Sequence, residues 1–165
     1  MKDVKVIVFG KENVGKSTLI GAIERGALRI DRNNITVAMD YGRAFVDGMK
    51  LHFFGTPGQH RFDFMREILS RGANVGVMVL DSTATLSAAD GELFAELQQM
   101  GIPCLIFVNK TDLKSRAANT GTITEAFSGC PVIRGSAMMG DGVSDLVASL
   151  ASLMAVESET LQSTF

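Results

Sequence analysis

The sequence predicts an α/β fold: a mostly parallel sheet with one antiparallel edge strand and helices on both faces. Three observations predict it. Strand-like and helix-like segments alternate along the chain. The strand-like runs Val4–Phe9, Val75–Leu80 and Ile102–Val108 are almost continuously apolar, as strands covered on both faces must be. One hairpin signal, Asp47-Gly48, joins two neighbouring strands and so supplies the antiparallel edge.

The elements follow in order. Val4–Phe9 is the first strand, and Lys16–Gly26 is a helix that begins after a glycine loop. Residues 27–38 are mixed and irregular. Met39–Val46 and Lys50–Phe54 are strands flanking the Asp-Gly turn. Gln59–Arg71 has helical spacing, Val75–Leu80 is a buried strand, and Ser87–Met100 is an amphipathic helix. Ile102–Val108 is the next strand. Thr122–Phe127 is a short helix with Thr122 or Thr124 near its start, and Val132–Ile133 is a short strand. Gly142–Met154 closes the fold with Val143, Leu146, Val147, Leu150 and Leu153 on one side. Residues 1–155 thus form one domain, and 156–165 are expected to be a frayed C-terminal tail.

Composition narrows the function. The 165 residues are 46% hydrophobic, enough for one substantial core and too apolar for a disordered chain. The net charge of −2 provides no basic field, so nucleic acid is not expected as the main partner. Cys104 and Cys130 lack metal-ligand spacing. Cys104 lies in an apolar run and is expected to be a buried free thiol, which suits a reducing cytoplasm. No 18-residue apolar run or signal peptide is visible. Position 2 is Lys and the last residues are Leu-Gln-Ser-Thr-Phe, so no direct membrane anchor is expected.

The chemistry concentrates in F-G-K-E-N-V-G-K-S-T, Phe9 to Thr18. Gly10, Gly15, Lys16 and Ser17 match G-x-x-x-x-G-K-[ST], the phosphate-binding P-loop, between a strand and a helix start as that motif requires. Backbone N–H groups of residues 13–18, including Asn13, Val14 and Thr18, can curl around phosphate oxygens where glycine removes Cβ clashes. The helix N-terminus adds partial positive charge. Lys16 can reach the β and γ phosphates, and the Ser17 hydroxyl can ligate Mg²⁺.

Directly after the strand ending at Val108 stands Asn109-Lys110-Thr111-Asp112. The Asp112 carboxylate can accept from the paired N1–H and exocyclic amine of guanine. Adenine offers no such pair and would leave the charge unsatisfied. Asn109 would position the loop and contact the base edge, and the aliphatic stem of Lys110 can lie across the base plane.

With these motifs, Thr36, T-P-G-Q and Ser136-Ala137, the chain resembles the Ras-like small GTPases over residues 1–154. Within them it is most similar to prokaryotic small GTPases of the gliding-motility and signalling-operon type, which use T-P-G-Q and lack lipid anchors. The resemblance implies a P-loop NTPase fold, GTP/GDP and Mg²⁺ as ligands, and base support by the Ala137 backbone N–H beside Ser136. It implies two loops that sense the γ phosphate. In the first, Thr36 would ligate Mg²⁺ and bond the phosphate; the bland alternative is a β-branched residue entering a strand. In the second, Gly58 would bring its backbone to the γ phosphate, and Gln59 would orient the attacking water. The alternative for Gln59 is a solvated first-turn residue. His60 is expected to be a surface or packing residue.

Two positions depart from the family pattern. Gly55 stands where these GTPases have an aspartate that holds Mg²⁺ through water, so the metal is bound more weakly, through extra water, or with help from Asp40 or Asp81. Asp40 reads first as an effector contact or structural residue, and Asp81 as a cap or loop residue. Glu12 occupies a loop position near the γ phosphate and is expected to point to solvent. Arg29, Arg32, Arg43, Arg61 and Arg66 all lie near the switch segments, and sequence does not choose an arginine finger among them.

The leading expectation is a cytoplasmic switch that hydrolyses GTP slowly and works through an effector and a GTPase-activating protein. The alternative is a guanine-nucleotide-binding module with negligible hydrolysis, motivated by Gly55 and Glu12. A small-metabolite kinase fits poorly, because no lid or acceptor segment follows Ala84. Tyr41, Phe62, Phe64 and Met65 can present apolar surface near the switches, though each reads first as a packing residue.

Overall fold

The computed structural model describes residues 1–24, 40–58, 63–113 and 120–164. Among these residues six strands form one sheet: β1 (Lys2–Phe9), β2 (Tyr41–Val46), β3 (Met49–Gly55), β4 (Val75–Asp81), β5 (Cys104–Asn109) and β6 (Val132–Arg134). Their order is β2-β3-β1-β4-β5-β6. Among the strand pairs of the described residues, β2–β3 alone is antiparallel. It turns at Asp47-Gly48, whose φ values of 47° and 74° put both residues in the left-handed region that a two-residue hairpin needs. The helices are α1 (Lys16–Ile23), α2 (Asp63–Ser70), α3 (Ala88–Gln99), α4 (Thr120–Ala126) and α5 (Val143–Ser163).

Strand alternation splits the core in two. Val4, Val6, Val8, Val77, Val79, Leu105 and Phe107 face one side, where Leu19 and Ile20 of α1 and Leu146 and Leu150 of α5 cover them. Ile7, Phe9, Met78, Leu80, Ile106 and Val108 face the other, beneath Leu93, Phe94 and Leu97 of α3 and Ile123 of α4. Each such side chain stabilises the fold by about 1.5–3 kcal/mol. The central strands β1, β4 and β5 therefore form a rigid base whose carboxyl ends all open on one rim, where α/β sheets bind ligands.

Two expectations are corrected. Residues 156–163 are not a frayed tail: α5 continues to Ser163. No Gly or Pro interrupts the segment, and hydroxyls bond back along it, Ser158 to the Met154 carbonyl at 3.0 Å and Thr160 to that of Val156 at 3.0 Å. Nor is Cys104 a free thiol: it is disulfide-bonded to Cys130, with the Cα atoms 5.9 Å apart. The β5–β6 register, which sets Ile106 beside Val132, brings Cys104 at the start of β5 level with Cys130, two residues ahead of β6, which their sequence separation conceals. The inference from free thiols to a reducing compartment thereby loses its premise. Among the described residues, no helix is long and apolar enough to cross a membrane.

Candidate functional site

The site grows from the turn between β1 and α1. After Phe9 the chain leaves the sheet, and Asn13 (φ 66°) and Gly15 (φ 101°) adopt left-handed conformations that curl the backbone into a loop. Gly15 caps α1, and a Cβ there would collide with the Asn109 side-chain amide. The loop thus closes against the end of β5 only because position 15 has no side chain.

Lys16 is buried inside this loop, 9% exposed. Its Nζ donates to the Gly10 carbonyl at 2.6 Å and the Lys11 carbonyl at 2.8 Å. Burial pushes its pKa down from 10.5 to about 8. Asp40 and Glu12 act to raise it, and Arg66 lowers it. An ammonium held this way gains from an anion placed beside it. Ser17 and Thr18 are exposed in the first turn of α1. The Ser17 hydroxyl donates to Asp40 Oδ2 at 2.5 Å. A hydroxyl oxygen beside a carboxylate oxygen is a hard donor set, the kind that suits Mg²⁺. Glu12 is exposed.

The guanine-type loop is clamped to the phosphate-type loop. Asn109, 3% exposed, donates from Nδ2 to the Val14 carbonyl at 2.9 Å. Its Oδ1 accepts the Ala137 N–H at 2.9 Å, so that N–H is held by Asn109 in this geometry. Lys110, at φ 67°, donates from Nζ to the Asn13 carbonyl at 2.7 Å and to Asp81 Oδ2 at 2.9 Å. Asp112 is exposed beyond it. Ser136 is buried, with its N–H on the Asp141 carbonyl at 3.0 Å and its Oγ accepting the Met139 N–H at 3.2 Å. Asp81 is thereby committed to Lys110 and to Thr83, whose N–H and hydroxyl reach Oδ1 at 2.8 and 2.6 Å. Burial acts to raise the Asp81 pKa, but these bonds outweigh it and hold the carboxyl below the ordinary carboxylate range. Of the two carboxylates considered as metal helpers, Asp40 stands at Ser17 and Asp81 does not.

The segment after β3 lies across the P-loop. The Thr56 N–H and hydroxyl both donate to the Val8 carbonyl, at 3.0 and 2.8 Å. A Cβ on Gly58 would come within 2.6 Å of the Glu12 nitrogen and 2.7 Å of the Gly10 oxygen. Glycine is what lets this backbone touch that of the P-loop. Thr36, Gln59, His60, Phe62, Arg29, Arg32 and Arg61 lie outside the described residues. The structure therefore brings Gly10, Asn13, Val14, Gly15, Lys16, Ser17, Gly58, Asn109, Lys110 and Ala137 together on one rim.

The sequence pattern described as 50S ribosome-binding GTPase matches residues 5–110. The chain belongs to this GTPase family. This GTPase domain is 37% identical over 155 residues to an uncharacterized protein of Methanocaldococcus jannaschii, covering 91% of the present chain and 96% of that protein. It is 32% identical over 164 residues to GTPase Der of Novosphingobium aromaticivorans, covering 91% of its own length but 35% of the relative's. Among solved structures, it matches the FeoB G-domain of Methanococcus jannaschii with a TM-score of 0.71 at 23% identity, over 93% of this chain and 98% of that one. It matches a bacterial selenocysteine-specific elongation factor with a TM-score of 0.74 at 19% identity, over 94% of this chain and 29% of the factor.

The GTPase domain also holds contacts that motif reading passed over. Arg66, 1% exposed in α2, donates from Nη1 to the Pro57 carbonyl at 2.9 Å and forks onto Glu96 of α3 at 3.1 and 3.2 Å. It braces the T-P-G loop and is not free to act as an arginine finger. Lys11 reaches Asp90 Oδ2 at 3.1 Å and ties the P-loop to the first turn of α3. Helical spacing gives Arg66 and Glu96 as polar positions; only the packing of α2 against α3 makes them partners. Phe64, expected to pack, is 69% exposed, and Tyr41 is bonded to His52 Nδ1 at 2.6 Å within the sheet.

Proposed function

We propose that this GTPase domain is a GTP-binding switch that hydrolyses GTP slowly to GDP and signals through loops that respond to the γ phosphate. One observation carries the reading. The Lys16 ammonium, a T-P-G backbone and an N-K-T-D loop meet at one rim, joined through Asn109 and Lys110. Phosphates would replace the Gly10 and Lys11 carbonyls as partners of Lys16, and Asp112 would accept the paired donors of guanine. Catalysis would rest on Lys16 and loop N–H groups facing the charge that develops as water attacks in line, with Gln59 orienting that water. Ser17 and Thr36 would hold Mg²⁺, which when bound neutralises phosphate charge. Unaided turnover is expected on the order of 10⁻⁴–10⁻² s⁻¹. An effector and a GTPase-activating protein in the cytoplasm, where GTP is supplied, would read and reset the switch. The T-P-G-Q sequence supports the prokaryotic small-GTPase type.

Gly55 favours a second reading, a module that holds guanine nucleotide and docks partners without significant hydrolysis. Single-turnover phosphate release from GTP and Mg²⁺, with ATP as control, separates the two. Slow, GTP-selective release that falls in Gln59→Ala supports the switch. Bound GTP with no release supports the module. Equal competition by ATP, or a GTP preference untouched by Asp112→Asn, would sink both.

A further inference from the structure

We propose that Asp40 is the carboxylate of the Mg²⁺ site, supplied from the edge strand's side in place of the residue at the end of β3. This rests on the guanine-nucleotide reading above and adds to it which residue completes the metal site.

The argument begins with register. β2 and β3 run antiparallel with Tyr41 opposite Phe54, so residue 40 falls opposite residue 55. The Gly55 N–H donates to the Asp40 carbonyl at 2.8 Å and pins that placement. A Cβ built on Gly55 would stand 2.9 Å from the Asp40 Cβ, 3.4 Å from its Oδ2 and 3.1 Å from Ile20 Cδ1. The two positions therefore cannot both carry a side chain here. A carboxylate hung from residue 40 enters the space that one hung from residue 55 would take. With Asp40 in place, position 55 has room for glycine alone without a shift of its neighbours.

The carboxylate is aimed at the right atom. Asp40 Oδ2 accepts the Ser17 hydroxyl proton at 2.5 Å. That bond uses the hydroxyl's hydrogen and leaves its lone pairs for a cation. Asp40 is half-buried, and its bond to Ser17 places the carboxylate at the first turn of α1. No group of three or more His, Cys, Asp or Glu able to hold a metal exists among the described residues. A dedicated cage is thus absent there, while one hydroxyl and one carboxylate remain. That is the sparse protein contribution Mg²⁺ accepts when phosphates and water fill the rest of its octahedron.

The test follows release of a fluorescent GDP analogue from the full chain as Mg²⁺ is titrated. Asp40→Asn keeps the shape and removes the charge. Its Mg²⁺ midpoint is expected to rise about 10- to 100-fold, the usual cost of removing a supporting metal partner. The double variant Asp40→Gly with Gly55→Asp returns a carboxylate to the same space from the other strand and is expected to lower the midpoint again. Unfolding of each variant without nucleotide reports on the fold separately. An unchanged midpoint in Asp40→Asn overturns the inference, as does a rise that tracks lost stability or that the exchanged pair does not repair. If the unaltered protein binds no guanine nucleotide, the functional reading has failed and this inference falls with it. Tight GDP binding whose Mg²⁺ dependence ignores Asp40 would sink this inference alone.

Discussion

The Asn109 side-chain amide donates to the Val14 carbonyl at 2.9 Å, so the end of β5 and the P-loop are fastened by one buried residue. The same side chain accepts the Ala137 N–H at 2.9 Å. Asn109 is thus the point where three loops meet, before any nucleotide is considered. Asn109→Ala would leave a buried carbonyl and a buried N–H unpaired. The expected cost is about 1–3 kcal/mol in the nucleotide-free protein, measured by denaturant unfolding. Asp112→Asn, on an exposed residue, should leave that midpoint where it is and change only base preference. Equal midpoints for Asn109→Ala and the unaltered protein would refute the clamp.

Lys16 supplies a proton-linked prediction. Folding lowers its pKa from 10.5 to about 8, chiefly by burial. Between those values the unfolded chain binds the proton and the folded one does not. Stability of the nucleotide-free protein should therefore rise with pH across this window, and the burden of the buried charge is fully present below about pH 8. Phosphate beside Nζ favours the charged form, so nucleotide binding near pH 9 should take up close to one proton. Calorimetry in two buffers of different ionisation enthalpy measures it, with Lys16→Met as the control. No proton uptake, or equal uptake in the control, would contradict this account of the site.

Gly58 makes a steric prediction. Its Cα faces the P-loop backbone so closely that an added methyl would meet the Glu12 nitrogen at 2.6 Å and the Lys11 carbonyl carbon at 2.7 Å. These are backbone atoms that cannot swing aside. Gly58→Ala should push the T-P-G segment off the P-loop and cost about 1–3 kcal/mol. Thermal unfolding checks the cost. GTP turnover should fall further than GDP affinity, because GDP lacks the phosphate that this segment would meet. A variant with unaltered unfolding and turnover would show that the two loops do not rest on each other.

The fold was legible because its signals are local and agree with one another. Apolar runs marked β1, β4 and β5, and Asp47-Gly48 marked the one antiparallel turn, since each depends on near neighbours in the chain. The P-loop and N-K-T-D loop were legible for the same reason: each packs its chemistry into a few consecutive residues. What escaped depends on packing between distant segments. Cys104 meets Cys130 only through the β5–β6 register. Asp40 meets Gly55 only through the β2–β3 register, and a sequence shows the missing carboxylate without showing what fills its place. The end of α5 differs for another reason: polar composition suggests fraying, while the segment carries no Gly or Pro to stop a helix that Leu146, Leu150 and Met154 already anchor in the core.

Arg66 separates bracing from direct catalysis. Its guanidinium is 1% exposed and spans from the Pro57 carbonyl at 2.9 Å to the Glu96 carboxylate on α3, whose side chain is 41% exposed. Removing the arginine strands a carbonyl and empties a buried volume, whereas removing only the Glu96 charge leaves a group that water can still reach. Arg66→Met should therefore cost about 1–3 kcal/mol, and Glu96→Gln less than about 1 kcal/mol. The T-P-G loop would lose its anchor in Arg66→Met. GTP turnover should then fall several-fold while GDP affinity, which depends on Lys16 and the N-K-T-D loop, stays close to the original. An arginine that acted on the phosphate directly would behave otherwise, with turnover lost and unfolding unchanged. Denaturant midpoints and single-turnover rates, measured on the same two variants, distinguish these outcomes. A stable, slow Arg66→Met protein would overturn the bracing role.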